Sequence, residues 1–326
     1  MDSCYSCGVR FDGTNNSLEH IINNSIGGRW KSRGLLCVAC NNLFGSGIDQ
    51  VLNDQLENFT DLLGISRQRE RKDIAVPMKS PEGDFKIVGK GLKPHSKLTT
   101  ILPDGKKITE YVEDAQFKEF IEQKKAQLKK KYSISSERFY EEKPGGKYYK
   151  IQNSLSNEEF DIGFGGEDFF RSVIKIAVNF YIKLGYEIEW VQLAISVMRK
   201  EAENEMAYFF YVRPERYEIH NLGENEVSHI IHLRGDKSKR VLYAYVELFN
   251  MQNVLIRLNS DYHGPDINKT YAIDLKTGEV MQKDVNIILG RHHFEILHLI
   301  GRDNMKEKEA RYRRVEKLIE KMQLRE

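Results

Sequence analysis

Beyond residue 40 this 326-residue chain has no cysteine: Cys4, Cys7, Cys37 and Cys40 are its only four. It also lacks any apolar run near the roughly 18 residues that a membrane-spanning helix needs. The opening MDSCYSCGVRFDG has neither the basic start nor the apolar stretch of a secretory signal. These absences argue against a membrane partner and against a disulfide-stapled secreted domain, so a cytoplasmic protein is expected. A surplus of one charge is missing as well. Fifty Lys and Arg face 48 Asp and Glu, a formal net charge of +2, and the overall charge points to no particular partner.

Charge is nevertheless unevenly placed. Residues 1–65 carry 4 basic and 7 acidic side chains, residues 66–150 carry 21 and 13, and residues 151–326 carry 25 and 28. The middle stretch therefore holds a +8 excess, which includes RQRERK at 67–72 and KKAQLKKK at 124–131. Such runs read first as a solvated helix face. The competing reading is a phosphate-contacting surface, with Lys124, Lys125, Lys129, Lys130 and Lys131 on one basic helix. Length and these shifts divide the chain into 1–65, a basic connecting segment 66–150 with a hairpin and a helix, and 151–326.

The cysteines form a Cys-x-x-Cys pair, 29 intervening residues, and a second Cys-x-x-Cys pair. In a reducing compartment this pattern reads as a zinc site, because two such turns can aim four thiolates at one point. With all four positions filled by protein, that zinc is expected to be structural. A small module with little core of its own needs such a staple.

A closed zinc site has no use for the Glu19-His20 pair between the cysteine turns, nor for Asn41 after the last one. Chemistry does. Ile21 and Ile22 after LEH suggest a strand end, Gly27 and Gly28 a turn, and GLLCVACNNLFG a zinc turn that runs into a helix. Histidine is a general base near neutral pH. A carboxylate and an amide oxygen are hard ligands suited to magnesium or manganese. Together they suit metal-assisted phosphodiester hydrolysis.

At residues 4–45 the pattern CYSC…LEHIINNSIGG…SRGLLCVACNNLFG resembles the HNH endonucleases, the ββα-metal nucleases, in their four-cysteine kind, that of the endonuclease VII resolvases. The resemblance implies that His20 is the general base and that Glu19 and Asn41 hold a catalytic Mg2+ or Mn2+, with DNA as substrate. The middle position of the family falls near Ser32, a departure from asparagine, with Asn24 as the alternative. A zinc ribbon that binds nucleic acid without cutting it is the non-enzymatic reading. Restriction or anti-phage defence, junction resolution and homing are the biological roles open to the enzyme.

The expected fold is α+β: a zinc-stapled ββα-metal module, then a mixed α/β C-terminal domain for targeting or sensing. In 49–63, Val51, Leu52, Leu56, Phe59, Leu62 and Leu63 share a helical face. GDFKIVGKGLK and KLTTILPDGKKITEYV read as strands with a PDG turn. A helix is expected after Glu167, with Phe169, Phe170, Val173, Ile174, Ala177 and Phe180 apolar. Its glycine-rich entry is read as a tight turn, since no P-loop lysine-serine pair follows. Residues 240–259 and 269–280 read as a β meander on that helix. GRHHFEILH at 290–298 clusters three histidines without Cys or a carboxylate at ligand spacing, and is read as a surface or core feature. The terminal helix, with Val315, Leu318, Ile319 and Met322 in a stripe, is expected to dock on the domain, with pairing between copies as the alternative. A partner protein or ligand at the C-terminal domain goes unidentified by the sequence.

Overall fold

The computed structural model of the chain describes residues 2–66, 165–211, 219–300 and 313, and between 76 and 142 only strands and a few helical residues. Mixed helix and sheet fall into two compact units: residues 1–70 with 162–326, and residues 71–161. Among the described residues no helix is long and apolar enough to cross a membrane.

The first unit begins with a ribbon of two short strands, β1 (Glu19–His20) and β2 (Lys31–Ser32), paired antiparallel with Glu19 opposite Ser32. The connecting loop turns through a 3-10 turn at Asn24–Ile26 and folds tightly on itself. A Cβ on Gly28 would lie 1.9 Å from the Ile22 carbonyl oxygen, so only glycine fits this close approach. Asn53 ties the loop down, accepting hydrogen bonds from the Asn23 amide at 2.9 Å and the Ser25 hydroxyl at 2.5 Å.

Helix α1 (Val38–Ser46) follows the second cysteine turn, and α2 (Ile48–Leu62) follows α1. Leu52, Leu56 and Phe59 of α2 are buried at the expected helical spacing, with Leu63 just beyond its end, while Val51 is half-buried. The side chain of Leu62 lies outside the described residues.

The second unit contains two three-stranded antiparallel sheets. One is ordered β3 (Val76–Ser80), β4 (Gly83–Val88), β5 (Gly91–Lys93). The other places β6 (His95–Ile101) between β7 (Lys107–Glu113) and β8 (Phe139–Glu142). The expected strands fall on β4 to β7, with β6 and β7 paired antiparallel, and the expected PDG turn lies outside the described residues. Of the expected basic helix, residues 119, 122, 123, 126 and 127 are helical, and Lys124, Lys125, Lys129, Lys130 and Lys131 lie outside the described residues. So does the stripe of Val315, Leu318, Ile319 and Met322.

The chain then enters α3 (Glu167–Lys183) through Gly166, whose φ is 88°. Glu167 and Asp168 sit in its first turn, where carboxylates face the positive end of the helix dipole. Every residue of α3 from Phe169 to Ile182 except Arg171 is buried, as expected of a helix covered on all sides. A short α4 (Gln192–Met198) leads to a six-stranded antiparallel sheet. Its strands are β9 (Ala207–Phe209), β10 (Ser228–Asp236), β11 (Val241–Leu248), β12 (Gln252–Asn259), β13 (Ile267–Asp274) and β14 (Val280–Met281), in spatial order β14-β13-β10-β11-β12-β9.

All eight residues of β11 are buried, because both faces of the sheet are covered. One continuous core joins Tyr5, Ile21 and Leu52 to Phe169 and Val173 of α3 and to Val246 and Ile256 of the sheet. On the other face Tyr243, Tyr245 and Leu255 pack with Phe294 of α5 (Arg291–Ile300), the helix formed by the histidine-bearing GRHHFEILH stretch.

His229 joins the sheet to the N-terminal loop. Its Nδ1 accepts from the Phe249 amide at 3.1 Å, so the ring proton sits on Nε2 and is donated to the Ile26 carbonyl at 2.7 Å. Burial pushes its pKa down to about 4, and burial does the same to His232. A folded-state pKa below the usual value near 6.5 stabilises above that value, and the contribution is lost as pH falls from 6.5 towards 4. Each ring is worth about 3 kcal/mol at full effect. His220 runs the other way: burial alone would lower its pKa, but the Glu247 carboxylate at 3.1 Å outweighs it. Its contribution is present at low pH and is lost as pH rises through its folded value. With two rings against one, unfolding by urea at pH 7 and pH 4.5 is expected to show a clear loss of stability at pH 4.5. In the His229→Gln variant that loss should shrink.

Candidate active site

Two backbone turns aim the cysteines inward. The first closes with the Gly8 amide donating to the Cys4 carbonyl at 2.8 Å, Gly8 having φ 74°. In the second, the Cys37 sulfur caps α1 by accepting from the Cys40 amide at 3.4 Å. All four sulfurs lie within 4.8 Å of one another, and those of Cys7 and Cys37 are 3.7 Å apart. Sulfurs about 2.3 Å from a central zinc stand about 3.8 Å apart in a tetrahedron, so the cluster is placed to hold one metal ion. Burial raises the pKa of the Cys4 and Cys40 thiols above the ordinary value, so without an ion they would stay protonated. Among the described residues this is the one such group of His, Cys, Asp and Glu side chains; the side chain of His298 lies outside them.

The cluster anchors both ends of the candidate catalytic segment. On one side, Asn16 pairs with Cys37 in an isolated bridge and its side-chain oxygen accepts from the Gly34 amide at 2.8 Å. Glu19 and His20 follow on β1, Glu19 buried and His20 half-buried. On the other side, Asn41 directly follows Cys40 in the first turn of α1, half-buried, with its amide donating to the Cys37 carbonyl at 2.9 Å. Ser32 is buried across the ribbon from Glu19 and donates to the Arg33 carbonyl at 2.9 Å. Asn24 is half-buried in the loop.

Three polar residues of α3 complete this region, and sequence reasoning missed them. Ser172, Lys175 and Asn179 recur at i, i+3 and i+7 and are fully or almost fully buried, a polar stripe on an otherwise apolar helix. That spacing was the available signal. The Lys175 ammonium bonds both the Glu19 carboxylate and, at 2.7 Å, Asp49 Oδ2. Asp49 Oδ1 accepts from the Ser172 hydroxyl at 2.9 Å. Asn179 donates to Glu19 Oε1 at 3.3 Å and to the His20 carbonyl at 3.4 Å, and accepts from the Tyr5 hydroxyl at 2.7 Å. The ring of Phe44 lies 6.0 Å from the ammonium. Burial alone would lower the pKa of Lys175, but Asp49 and Glu19 outweigh it and hold the group charged. Two carboxylates thus converge on one cation in a water-poor setting, where removing a single partner typically costs about 3–5 kcal/mol.

Neither the curated proteins nor the solved structures yielded a significant match to the chain. The family comparison reaches 12 residues past the stretch picked out by sequence, from 45 to 57 and so into α2. The cysteine cluster, the Glu-His strand, the helix with Asn41, and Asp49 all fall inside it: residues 4–57 match the family model of the HNH endonucleases.

Proposed function

We propose that the protein is a metal-dependent HNH endonuclease that hydrolyses DNA phosphodiester bonds. The observation that carries this reading is the attachment of Glu19, His20 and Asn41 to the Cys37–Cys40 turn of one four-cysteine cluster within the matched segment. The four thiols suit a structural zinc. Glu19 and Asn41 supply hard oxygens for Mg2+ or Mn2+, which would neutralise charge at the scissile phosphate and the departing 3′-oxygen. His20 takes the proton of the attacking water. The β2 partner strand and the Asn179 bond to the His20 carbonyl fix the strand that presents it. Products carry 5′-phosphate and 3′-hydroxyl ends.

DNA is brought to the site by the basic stretch 66–150, through Lys124, Lys125, Lys129, Lys130 and Lys131 in particular. Restriction of foreign DNA in the cytoplasm is the role we favour, with the C-terminal domain as the sensing part. Cleavage of plasmid, phage and modified DNA, with ends mapped, tests it: selective cutting of one modified substrate supports restriction, and preference for branched junctions supports resolution instead.

The two metals separate by affinity. Elemental analysis should find about one zinc per chain that survives mild chelation. Cleavage should vanish on that chelation and return with magnesium or manganese alone. Protein that is zinc-free yet stable and active would remove the zinc assignment. A zinc-loaded protein that binds DNA but never cuts it with either cation would leave the ribbon reading in its place.

A further inference from the structure

The Lys175 ammonium occupies the position at which a cation held by Glu19 would be attracted. It is buried in the middle of α3, and it bonds Glu19 and Asp49 together. Asn179 also donates to Glu19 Oε1, so that oxygen already has two donors. A dication bound by Glu19 would sit about 2.1 Å from a carboxylate oxygen, within a few ångströms of the ammonium, and the two like charges repel strongly in so dry a setting. Asp49 offers the ammonium a second partner. It is fixed from α3 itself by Ser172, and at 2.7 Å it can keep Lys175 when Glu19 lets go.

We propose that Lys175 is a counter-ion gate on the nuclease centre: it competes with the divalent cation for Glu19 and moves onto Asp49 when the cation binds. Lys175 is then the residue that sets cation affinity, and it does so from the C-terminal segment, outside the matched family stretch. This inference rests on the proposed role of Glu19 as a ligand.

The full-length, zinc-loaded His20→Ala protein is titrated with Mn2+, and free Mn2+ is followed by its electron paramagnetic resonance signal. Glu19→Gln in the same background identifies the binding that depends on Glu19. Lys175→Met is expected to tighten that binding roughly tenfold or more, because the repelling charge is gone. Two unpaired carboxylates threaten the fold of this variant, so Lys175→Met with Asp49→Asn is measured alongside it. The amide introduced by Asp49→Asn keeps an acceptor for Ser172, and the double variant should also bind Mn2+ more tightly than the parent. Circular dichroism checks that both are folded. Unchanged or weaker Mn2+ binding in a folded variant overturns the gate and leaves the nuclease reading standing. Equal binding by the parent and by Glu19→Gln, with and without Lys175→Met, overturns the ligand role of Glu19, and the gate with it.

Discussion

His20→Ala is expected to slow DNA cleavage about a thousandfold, within the range usual for loss of a general base. The side chain is half-buried at the end of β1, a strand held by backbone bonds to β2 and Trp30, by the Asn179 bond to the His20 carbonyl and by the Glu19 carboxylate bonded to Lys175. Alanine leaves all of these in place, so thermal unfolding and DNA binding should match the parent. Rates of plasmid nicking at saturating Mg2+ provide the measurement. A variant that nicks at the parental rate would move the base to another residue. A variant that has lost binding as well would show that His20 holds the substrate instead of activating water.

An equally large effect is expected from cutting the chain after residue 66. The matched segment looks self-contained, with its own cysteine cluster and its own helices. Its core is not. Leu52, Leu56, Phe59 and Leu63 belong to the same buried cluster as Phe169, Val173 and Val246, and Phe59 lies 6.1 Å from the Phe249 ring across that core. Burial of each such side chain is worth about 1.5–3 kcal/mol, so the four together are comparable to the whole stability of a small domain. Glu19 and Asp49 would also lose Lys175. The 1–66 fragment, even loaded with zinc, should therefore lack a folded α2 and should not cut DNA. Its amide NMR spectrum should show a collapsed dispersion outside the cysteine turns. A well-dispersed spectrum and parental activity from the fragment would mean that the remainder of the core is dispensable.

These two expectations mark how far the sequence could be read. Local spacing was enough for the cysteines, because four thiols in two Cys-x-x-Cys turns have few other uses, and it singled out Glu19, His20 and Asn41 as candidates because they sit between and just after those turns. Periodicity was enough for α2 and for the apolar side of α3. Of the sheet, β11, β12 and β13 were legible as β-rich stretches with turn residues between them, while β9 and β10 were not read. The stripe of Ser172, Lys175 and Asn179 escaped because its meaning depends on partners 123 to 174 residues away. The polar stripe on an apolar helix hints that Lys175 is buried, but nothing near it in sequence says which carboxylates it meets. For the same reason the shared core of the first 66 residues and the C-terminal segment could not be foreseen: contacts that distant leave no local pattern.

The interruption of the first unit by residues 71–161 has a consequence for synthesis. Ribosomes add about 5–20 residues per second, so the cysteines, Glu19 and His20 emerge several seconds or more before α3 exists. Throughout that interval the strand with Glu19 and His20 has neither Lys175 nor Asn179 beside it, and α2 has no helix to cover its apolar face. The nascent chain then carries the four cysteines without the core that surrounds Glu19, and that core is complete only once translation has passed residue 183. A message truncated anywhere before α3 is thus expected to yield a product without the buried contacts of Lys175 to Glu19 and Asp49.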